Sequence, residues 1–447
     1  MTSAPVRSGI PETGEWTSRF ATAPPYRPVS TPTVGRTPYR RPLDAERIAA
    51  LRGDEPLTEE RTGSDEALLA HRLLMNIYES DTLFLPEEGM AARQQDFEAF
   101  YDPATRLAAD IAKPAVERYV FSFLDRSVQV TGAWDLESVE AHVTAAIDEA
   151  VHAESPVLRA IDESADPVRA TETMVAQMAL DGLTEATAMS QNLGGAYGPE
   201  QSELFKIFVD EFGYGVFDAK HSTLFAELCR SIGMTPTAHH YWFFYLPTWM
   251  TSNNYFYYVT RNRLGFFRYV GAMTLLEATF APWFAAMSRR LKAVYGDGVD
   301  TRYCDEHAHI DQHHGRMAVR DLLLPIARKH GPAAMRELVR GIEDTKVLGR
   351  LADADLVAQM TWHPVAVAGG DRPPTGAPVR PGQDFDTRVA AADERLTVLS
   401  GQVELHHSPT GDPLTVPAGS SVVVPRGRLF GVRADRDSVV ATTSSAG

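Results

Sequence analysis

Residues 306–314 read Glu306-His307-Ala308-His309-Ile310-Asp311-Gln312-His313-His314. In this run His307, Asp311 and His314 are spaced i, i+4 and i+7, so their side chains share one face of a helix with 3.6 residues per turn. Two imidazoles and a carboxylate on one stripe are nitrogen and oxygen ligands of the kind that iron and manganese accept. Polar helix faces also produce such spacings by chance, so the other ligands of a metal site have to come from elsewhere. His309 and His313 point away from this stripe, toward solvent or toward a supporting position.

Two other predicted helices each carry one acidic residue inside an apolar face. Residues 167–191 are predicted as one helix, and Glu185 lies within its apolar stripe. Residues 265–295 are predicted as another, with Glu277 in an equivalent position. A buried carboxylate without a partner is costly, so each of these side chains must be protonated, paired with a cation or bound to a metal.

A third predicted helix, over residues 199–232, carries three residues of ligand type on an otherwise apolar face. They are Glu211, Asp218 and His221, with two turns between the first two and one turn between the last two. The charged residues Lys206, Asp210, Lys220, Glu227 and Arg230 supply the polar face of this helix, which argues against a misassigned face.

Four helices therefore offer three histidines and five carboxylates on apolar faces. Helix-bundle sites for two metal ions are built in this way, with inward Glu, Asp and His side chains on facing helices. Without thiolates in the set, a structural zinc or an iron–sulfur cluster is excluded in favour of iron or manganese. The predicted metal ligands are Glu185, Glu211, Asp218, His221, Glu277, His307, Asp311 and His314.

Composition restricts the partners and the compartment. The chain has 447 residues, of which 44% are hydrophobic and 23% charged, and a net charge of −16. This charge argues against a nucleic acid or an anionic membrane as partner. The two cysteines do not make a disulfide framework, and we find no signal-peptide core and no apolar run of transmembrane length. These features favour the cytoplasm.

The chain divides into four predicted segments, which together make it mainly α. Residues 1–60 are proline-rich at their start and are predicted to be an extended arm that buries little apolar surface. Residues 61–130 are predicted to be a helical segment that serves dimerisation. Residues 131–360 form the helical bundle with the metal ligands. Residues 361–447 change to short β-type runs separated by turn residues, typical of a small sandwich or barrel.

A run of aromatic residues over 239–260 precedes the helix that carries Glu277. Most of these side chains are expected in the core, and some could form the wall of a pocket. His239 and His240 stand just before the run, and we interpret them as capping or surface residues.

The order and spacing of these residues resemble the heme-oxygenase-like diiron oxidases. The resemblance covers nearly the whole chain and extends to members that join an N-terminal dimerisation segment, a central diiron domain and a C-terminal cupin. It implies a heme-oxygenase-like helical bundle, two Fe(II) ions and O2 as cosubstrate. It also assigns the eight residues above as metal ligands, although the family's pattern has the longer Glu where this chain has Asp218.

The resemblance also implies a reaction. Family members with this domain plan hydroxylate a guanidine nitrogen of an arginine derivative. We therefore predict an O2-dependent N-oxygenase of a specialised-metabolite pathway, acting on arginine, methylarginine or a related amine, with an external reductant and as a homodimer. The alternatives are oxidative C–H or C–C cleavage of an amino or fatty acid, and a metal-free helical scaffold. Heme degradation is disfavoured, because it needs one axial histidine and leaves the carboxylates unexplained.

The predicted cupin departs from the family pattern. Cupins hold a metal through an HxH motif and a further histidine in a G-x5-P-x-G-x2-H motif. Here that motif runs from Gly419 to Phe430, with Phe430 in the place of the histidine, and the stretch before Leu396 has no histidine. His406 and His407 are adjacent, so on a strand they face opposite sides. We predict a β domain without iron and a reaction that stops at an N-hydroxylated product.

Overall fold

The computed structural model describes residues 13–35, 37–369 and 375–444. Part of the predicted arm, before residue 13, therefore lies outside the described residues. Helices dominate as far as Met360, and antiparallel strands follow, so the predicted fold class is confirmed.

The described chain begins with six helices that precede the bundle. They are α1 (Thr13–Ala21), α2 (Ala45–Ala49), α3 (Asp65–Glu79), α4 (Met90–Phe100), α5 (Pro103–Phe121) and α6 (Leu124–Ser127). The bundle helices follow, and a π-helical turn at Ala318–Leu323 joins the last two of them. They are α7 (Leu136–His152), α8 (Pro156–Glu163), α9 (Pro167–Gly182), α10 (Thr187–Ser190), α11 (Pro199–Glu211), α12 (His221–Ser231), α13 (Pro247–Arg261), α14 (Phe266–Tyr295), α15 (Arg302–Met317) and α16 (Leu324–Met360).

Several helix boundaries follow directly from local sequence signals. The Ser64 hydroxyl accepts a hydrogen bond from the Ala67 amide at the start of α3, and Asp135 caps α7 in a capping box with Ser138. Pro103 occupies the first turn of α5, where its missing N–H does no harm. Pro114 lies inside α5 without ending it.

The bundle is organised around α14, which packs against α15 and α16. At the α14–α16 crossing two glycines allow backbone contact. A Cβ added to Gly271 would lie 1.9 Å from the Leu338 carbonyl oxygen, and one added to Gly341 would lie 2.0 Å from the Arg268 carbonyl oxygen. Only glycine permits this approach, so these two positions determine how closely the backbones of α14 and α16 pack.

The N-terminal segment is not the extended arm that the sequence predicted. Over its described residues it contains α1 and α2, and Phe20 and Tyr26 are fully buried in the same apolar core as the bundle. The buried Arg41 guanidinium pairs with Glu79 of α3, and His239 Nε2 lies 2.8 Å from the same carboxylate. The prediction failed because this segment supplies large aromatic side chains and a buried ion pair despite its prolines. The surface role expected for His239 is wrong for the same reason.

The helical segment 61–130 packs into the bundle rather than beside it. Every residue of α3 from Ala67 to Glu79 is buried, and α3 contacts α13 and α5. Because α3 has no exposed face over these residues, the contact surface of a homodimer would have to lie outside this part of α3. The dimerisation role and the predicted segment boundaries stay predictions.

The C-terminal strands form two antiparallel sheets that share one apolar core. The strands are β1 (Val367–Ala368), β2 (Ala377–Val379), β3 (Thr387–Val389), β4 (Glu394–Ser400), β5 (Gln402–His406), β6 (Leu414–Pro417), β7 (Ser420–Val424), β8 (Leu429–Arg433) and β9 (Ser438–Ser444). One sheet has the order β1-β7-β4-β9-β2 and the other β3-β8-β5-β6. Alternating inward side chains such as Leu396, Val398, Val403 and Leu405 fill the space between them.

The β domain is joined to the bundle by buried polar contacts. The Gln359 side chain at the end of α16 hydrogen-bonds the amide and the carbonyl oxygen of Leu429 in β8. Arg72 of α3 donates to Asp386 at 2.8 Å and to the Thr387 hydroxyl at 2.7 Å, although the Arg72 side chain is only 2% exposed. These contacts make the β domain part of the bundle's packing.

Phe430 lies on β8 with its side chain buried. The Arg388 guanidinium carbon lies 4.4 Å from the centre of the Phe430 ring. The ring is 1% exposed and belongs to the core between the sheets. An aromatic side chain offers no metal ligand, and the absence of iron from this domain stays a prediction from its sequence.

One stretch of the described chain, Arg263–Tyr295, is long and apolar enough to span a membrane by length and composition, with a mean hydropathy of 1.2. It contains α14, the central helix of the bundle, and carries Glu277. The core helix of a globular protein passes the same test.

Candidate metal centre

Glu185 lies in a turn after α9, not inside a continuous helix. The predicted helix over 167–191 ends at Gly182, and Ala186 takes a left-handed φ of 62° before α10 begins. A left-handed residue cannot continue a right-handed helix, so the prediction of one helix is wrong here. In the turn the Glu185 carboxylate accepts a hydrogen bond from the Tyr303 hydroxyl at 3.2 Å and lies 3.1 Å from His307 Nε2.

The predicted helix over 199–232 is also two helices. Gly213, Tyr214 and Gly215 all have positive φ, which ends α11 and separates it from α12. Glu211 is the last residue of α11 and His221 the first of α12, and Glu211 Oε2 lies 2.7 Å from His221 Nδ1. The break therefore brings these two predicted ligands face to face.

Asp218 does not reach the cluster. It lies in a 3-10 turn at Phe217–Ala219 between the two helices, and its side chain is exposed. The i, i+3 relation to His221 that placed Asp218 among the ligands required a continuous helix, which the left-handed residues interrupt. The structure thus brings together seven of the eight predicted ligands and excludes Asp218.

Glu277 and His314 meet because α14 and α15 approach closely. A Cβ added to Gly315 would lie 2.7 Å from the Cα of Ala278, so a larger residue there would push α15 away. At this separation Glu277 Oε2 lies 3.1 Å from His314 Nδ1. The face with His307, Asp311 and His314 points inward as predicted, whereas His309 and His313 are exposed.

The seven residues form two adjoining clusters. In each cluster one ligand atom per residue lies within 4.8 Å of those of the other members. Glu211 belongs to both clusters, and a carboxylate has two oxygens with which to bridge two ions. The first cluster is Glu185, Glu211, His221 and His307, and the second is Glu211, Glu277, Asp311 and His314.

Several ligand-type atoms in these clusters lack a hydrogen bond. Glu185 Oε2 and Asp311 Oδ2 are buried without a partner among the described residues. His221 Nδ1 is close to Glu211 but is not oriented for a hydrogen bond. Buried polar atoms without partners are rare in proteins, so these atoms are free for metal ions. Three imidazoles and four carboxylates fit two iron ions, because the four carboxylate charges balance two ferrous ions.

In His307 and His314 the ring nitrogen that does not face a cluster forms a hydrogen bond outside it. His307 Nδ1 lies 2.9 Å from the Tyr303 carbonyl oxygen, so Nδ1 donates there and Nε2 faces the first cluster. His314 Nε2 lies 3.1 Å from Asp210 Oδ2, so Nδ1 faces the second cluster. Such partners orient metal-binding histidines. The sequence analysis missed Asp210 because its position one residue before Glu211 placed it on the polar face.

The carboxylates hold the histidines protonated in the absence of metal. Burial alone lowers the pKa of His307, but the Glu185 carboxylate outweighs this and raises the pKa to about 10. Burial also lowers the pKa of His314, but Asp311 and Glu277 outweigh this effect and raise the pKa to about 12. The pKa of His221 is also raised, with Glu211 outweighing burial.

These pKa shifts predict a large proton release when metal binds. A metal takes the neutral imidazole, so protons held below these raised pKa values must leave. We expect at least about two protons per chain at pH 7 on loading with Fe(II), from His307 and His314, against fewer than about one for three ordinary histidines, whose pKa is about 6.5. Iron affinity should accordingly fall as the pH is lowered.

Anaerobic calorimetry in buffers of different ionisation enthalpy measures this proton release. Release of less than one proton at pH 7 would contradict the charge pairing described above. His313→Ala, on the exposed side of α15, should release the same number of protons as the unmodified protein.

A cavity of about 340 Å³ opens beside both clusters. Aromatic and aliphatic side chains from α13, α14 and α16 form most of its wall, and no lysine or arginine is among its described lining residues. Asp181 lines this cavity beside the first cluster with its side chain exposed, and desolvation by the surrounding wall with repulsion from Glu185 raises its pKa to about 7. The aromatic lining residues include Trp249, Tyr255, Phe256, Tyr257, Tyr269 and Phe280. The expectation that part of the aromatic run forms a pocket wall is confirmed.

Comparison with known proteins agrees with this geometry. Residues 172–348 match a family model described as an iron-containing redox enzyme of the haem oxygenase type, a range that contains all seven clustered residues. The chain is also 38% identical over 445 residues to nitrosourea synthase from Streptomyces achromogenes subsp. streptozoticus, covering 96% of this chain and 94% of that protein. The protein belongs to the family of heme-oxygenase-like, iron-containing redox enzymes that includes nitrosourea synthase.

Proposed function

We propose that this protein is an O2-dependent nonheme diiron N-oxygenase that hydroxylates a nitrogen of an amino-acid or amine substrate. The observation that carries the proposal is the pair of ligand clusters that share Glu211 and open into one acidic cavity. The substrate we favour is the guanidine of arginine or methylarginine, in a specialised-metabolite pathway. Similarity to a nitrosourea synthase supports chemistry at nitrogen.

Each cluster would hold one ferrous ion. Glu185, His221 and His307 would bind the first, and Glu277, Asp311 and His314 the second, with Glu211 between them. Two ferrous ions supply the electrons that activate O2 when they are bound. The overall reaction converts an N–H bond to N–OH with one oxygen atom of O2, while the other leaves as water. It consumes two electrons and two protons, so an external reductant is required.

The protein's own groups serve binding and proton handling. The Tyr303 hydroxyl donates to Glu185 and holds this carboxylate in its turn, and Asp210 holds the ring of His314. The aromatic wall would limit the water around a bound substrate, which strengthens electrostatic contacts within the cavity. Asp181, whose pKa lies near neutrality, faces the cavity where a proton is needed to form water.

The charge of the cavity favours a cationic substrate. Four carboxylates balance two ferrous ions, which leaves Asp181 and Asp353 as additional acidic groups on the wall. The described lining residues provide no lysine or arginine for a fatty-acid carboxylate. A guanidinium or ammonium group suits this environment. The cavity therefore favours N-oxygenation over oxidative cleavage of a fatty acid.

The β domain would stabilise the bundle without an iron of its own. Phe430 fills the core where a cupin would place a histidine ligand, and the domain covers Arg72 and Gln359. The product would then be the N-hydroxylated substrate without further rearrangement. Because this packing is shared, deletion of the domain would destabilise the bundle and is not a clean test of its role.

The proposal is tested by loading the protein anaerobically with Fe(II) and then adding O2, a reductant and a substrate. Arginine, methylarginine, simple amines and a fatty acid are compared by mass spectrometry with ¹⁸O2. We expect one labelled oxygen on a nitrogen of the guanidine or amine compounds. Chain-shortened or dehydrogenated products would support C–C or C–H cleavage instead, and failure to bind iron would support the metal-free scaffold.

A further inference from the structure

Asp353 lies on α16 and lines the cavity together with residues of α13 and α14. It follows Leu348, Gly349 and Ala352 along the same lining face of the helix. Within the described ranges its carboxylate has no hydrogen bond and no ion pair. Asp355, two residues later, has both a hydrogen bond at 2.7 Å from the Thr248 hydroxyl and a nearby guanidinium, that of Arg428. Asp353 is therefore an acidic side chain in a cavity wall with nothing in the protein to balance it.

Asp353 also lies apart from the metal clusters. The charges of Glu185 and Glu211 act on Asp181, whereas burial is the only influence that shifts the pKa of Asp353, which it raises to about 6. The two acids also lie at different places on the cavity wall. Asp181 lies four residues before the ligand Glu185, whereas Asp353 belongs to neither cluster and lies two residues before Asp355, which contacts Thr248 in the first turn of α13. At pH 7.5 a carboxylate with a pKa of about 6 is ionised.

An ionised carboxylate on a mostly apolar wall is a binding site for a cation. Asp353 is half-buried, so its charge is only partly solvated and a ligand cation gains a charge-assisted hydrogen bond there. A substrate with one nitrogen at the clusters and a second cationic group at its other end could pair with the acidic groups at both places. Arginine and agmatine have this form.

We propose that Asp353 is the specificity residue that binds the cationic group at the end of the substrate remote from the oxidised nitrogen, such as the α-ammonium group of arginine. This inference rests on the proposed function for the position of the oxidised nitrogen. It makes the substrate class a guanidine or amine with a second basic nitrogen. It also predicts that a free α-carboxylate contributes little to affinity, because the described lining residues include no lysine or arginine and the one histidine among them, His307, is a proposed metal ligand.

Equilibrium binding without O2 tests this inference. Arginine, agmatine and 5-guanidinopentanoic acid, which lacks the α-amine, are titrated into the iron-loaded protein under anaerobic conditions. We expect Asp353→Asn to weaken arginine and agmatine by about tenfold or more, the usual loss of a hydrogen bond between charged groups. The affinity for 5-guanidinopentanoic acid should stay within about twofold, and Asp353→Glu should recover part of the loss.

Asp110→Asn is the matched control, since Asp110 is an exposed acid on α5 and its loss changes the net charge equally. Equal weakening of all three ligands by Asp353→Asn would overturn the inference, because it would indicate a general change of the cavity. Failure of the unmodified protein to bind arginine and agmatine would also overturn it. If selective loss is found but no compound is oxidised, the inference stands and the proposed reaction fails, since binding needs no O2.

Discussion

Replacing His314 with Ala should reduce iron loading from about two ions per chain to about one and abolish turnover. The His314 imidazole faces three carboxylates, with Glu277 at 3.1 Å, Asp311 at 3.4 Å and Glu211 at 3.5 Å. Without it the second cluster keeps only oxygen ligands and loses the nitrogen that Asp210 orients. Iron is measured by metal analysis after anaerobic loading and desalting, and turnover by the ¹⁸O2 assay.

His313→Ala is the matched control for this variant, because His313 is the preceding residue and is exposed. It should load two irons and react at the normal rate. Two irons and full activity in His314→Ala would refute the assignment of the second cluster. Circular dichroism distinguishes a specific loss of metal from unfolding, which matters because the removed imidazole also balances buried acidic charge.

Gly271→Ala should destabilise the protein by about 3 kcal/mol, at the upper end of the cost of overpacking a core. Its Cβ would lie 1.9 Å from the Leu338 carbonyl oxygen, well inside van der Waals contact. That oxygen belongs to the backbone of α16, so no rotamer change relieves the overlap and α14 and α16 must separate. We expect a fall in Tm of roughly 5 °C or more in differential scanning calorimetry.

Gly349→Ala provides the comparison on the same helix, α16. A Cβ at Gly349 meets no atom within 4 Å, and alanine favours a helix over glycine by about 1 kcal/mol. This variant should be as stable as the unmodified protein or slightly more so. Equal stability of Gly271→Ala and Gly349→Ala would contradict the close crossing of α14 and α16. Because α14 carries Glu277, the Gly271 variant should also load less iron.

Acidic and histidine side chains on otherwise apolar helix faces predicted most residues of the candidate metal centre. His307, Asp311 and His314 lie on one continuous helix, so their spacing alone determined a common face, and Glu277 lies on the apolar face of another continuous helix. Glu185, Glu211 and His221 also reach the centre, although the helices predicted around them end early. In those cases the polar residue signalled burial correctly while the assumed periodicity was wrong.

The incorrect predictions have two causes, which are breaks in the helices and contacts with residues far away in the sequence. Asp218 was assigned through a helix that Gly213 and its neighbours interrupt, and a glycine in sequence does not reveal whether it takes a positive φ. Asp210 was assigned to solvent because the histidine that it contacts lies 104 residues away. His239 and the N-terminal segment were misplaced for the same reason, since Glu79 pairs with both Arg41 and His239.

The helical class, the β-rich C-terminal part and the residue types that could bind iron could all be predicted from the amino-acid sequence. These properties follow from local periodicity and from the cost of burying unpaired charge. The three-dimensional packing was needed to show that Glu211 is shared by two clusters, that Asp218 lies outside them and that Asp353 lines the cavity without a hydrogen-bond or ion-pair partner among the described residues. Such facts depend on how distant helices cross, and that geometry is set by contacts between residues far apart in the chain.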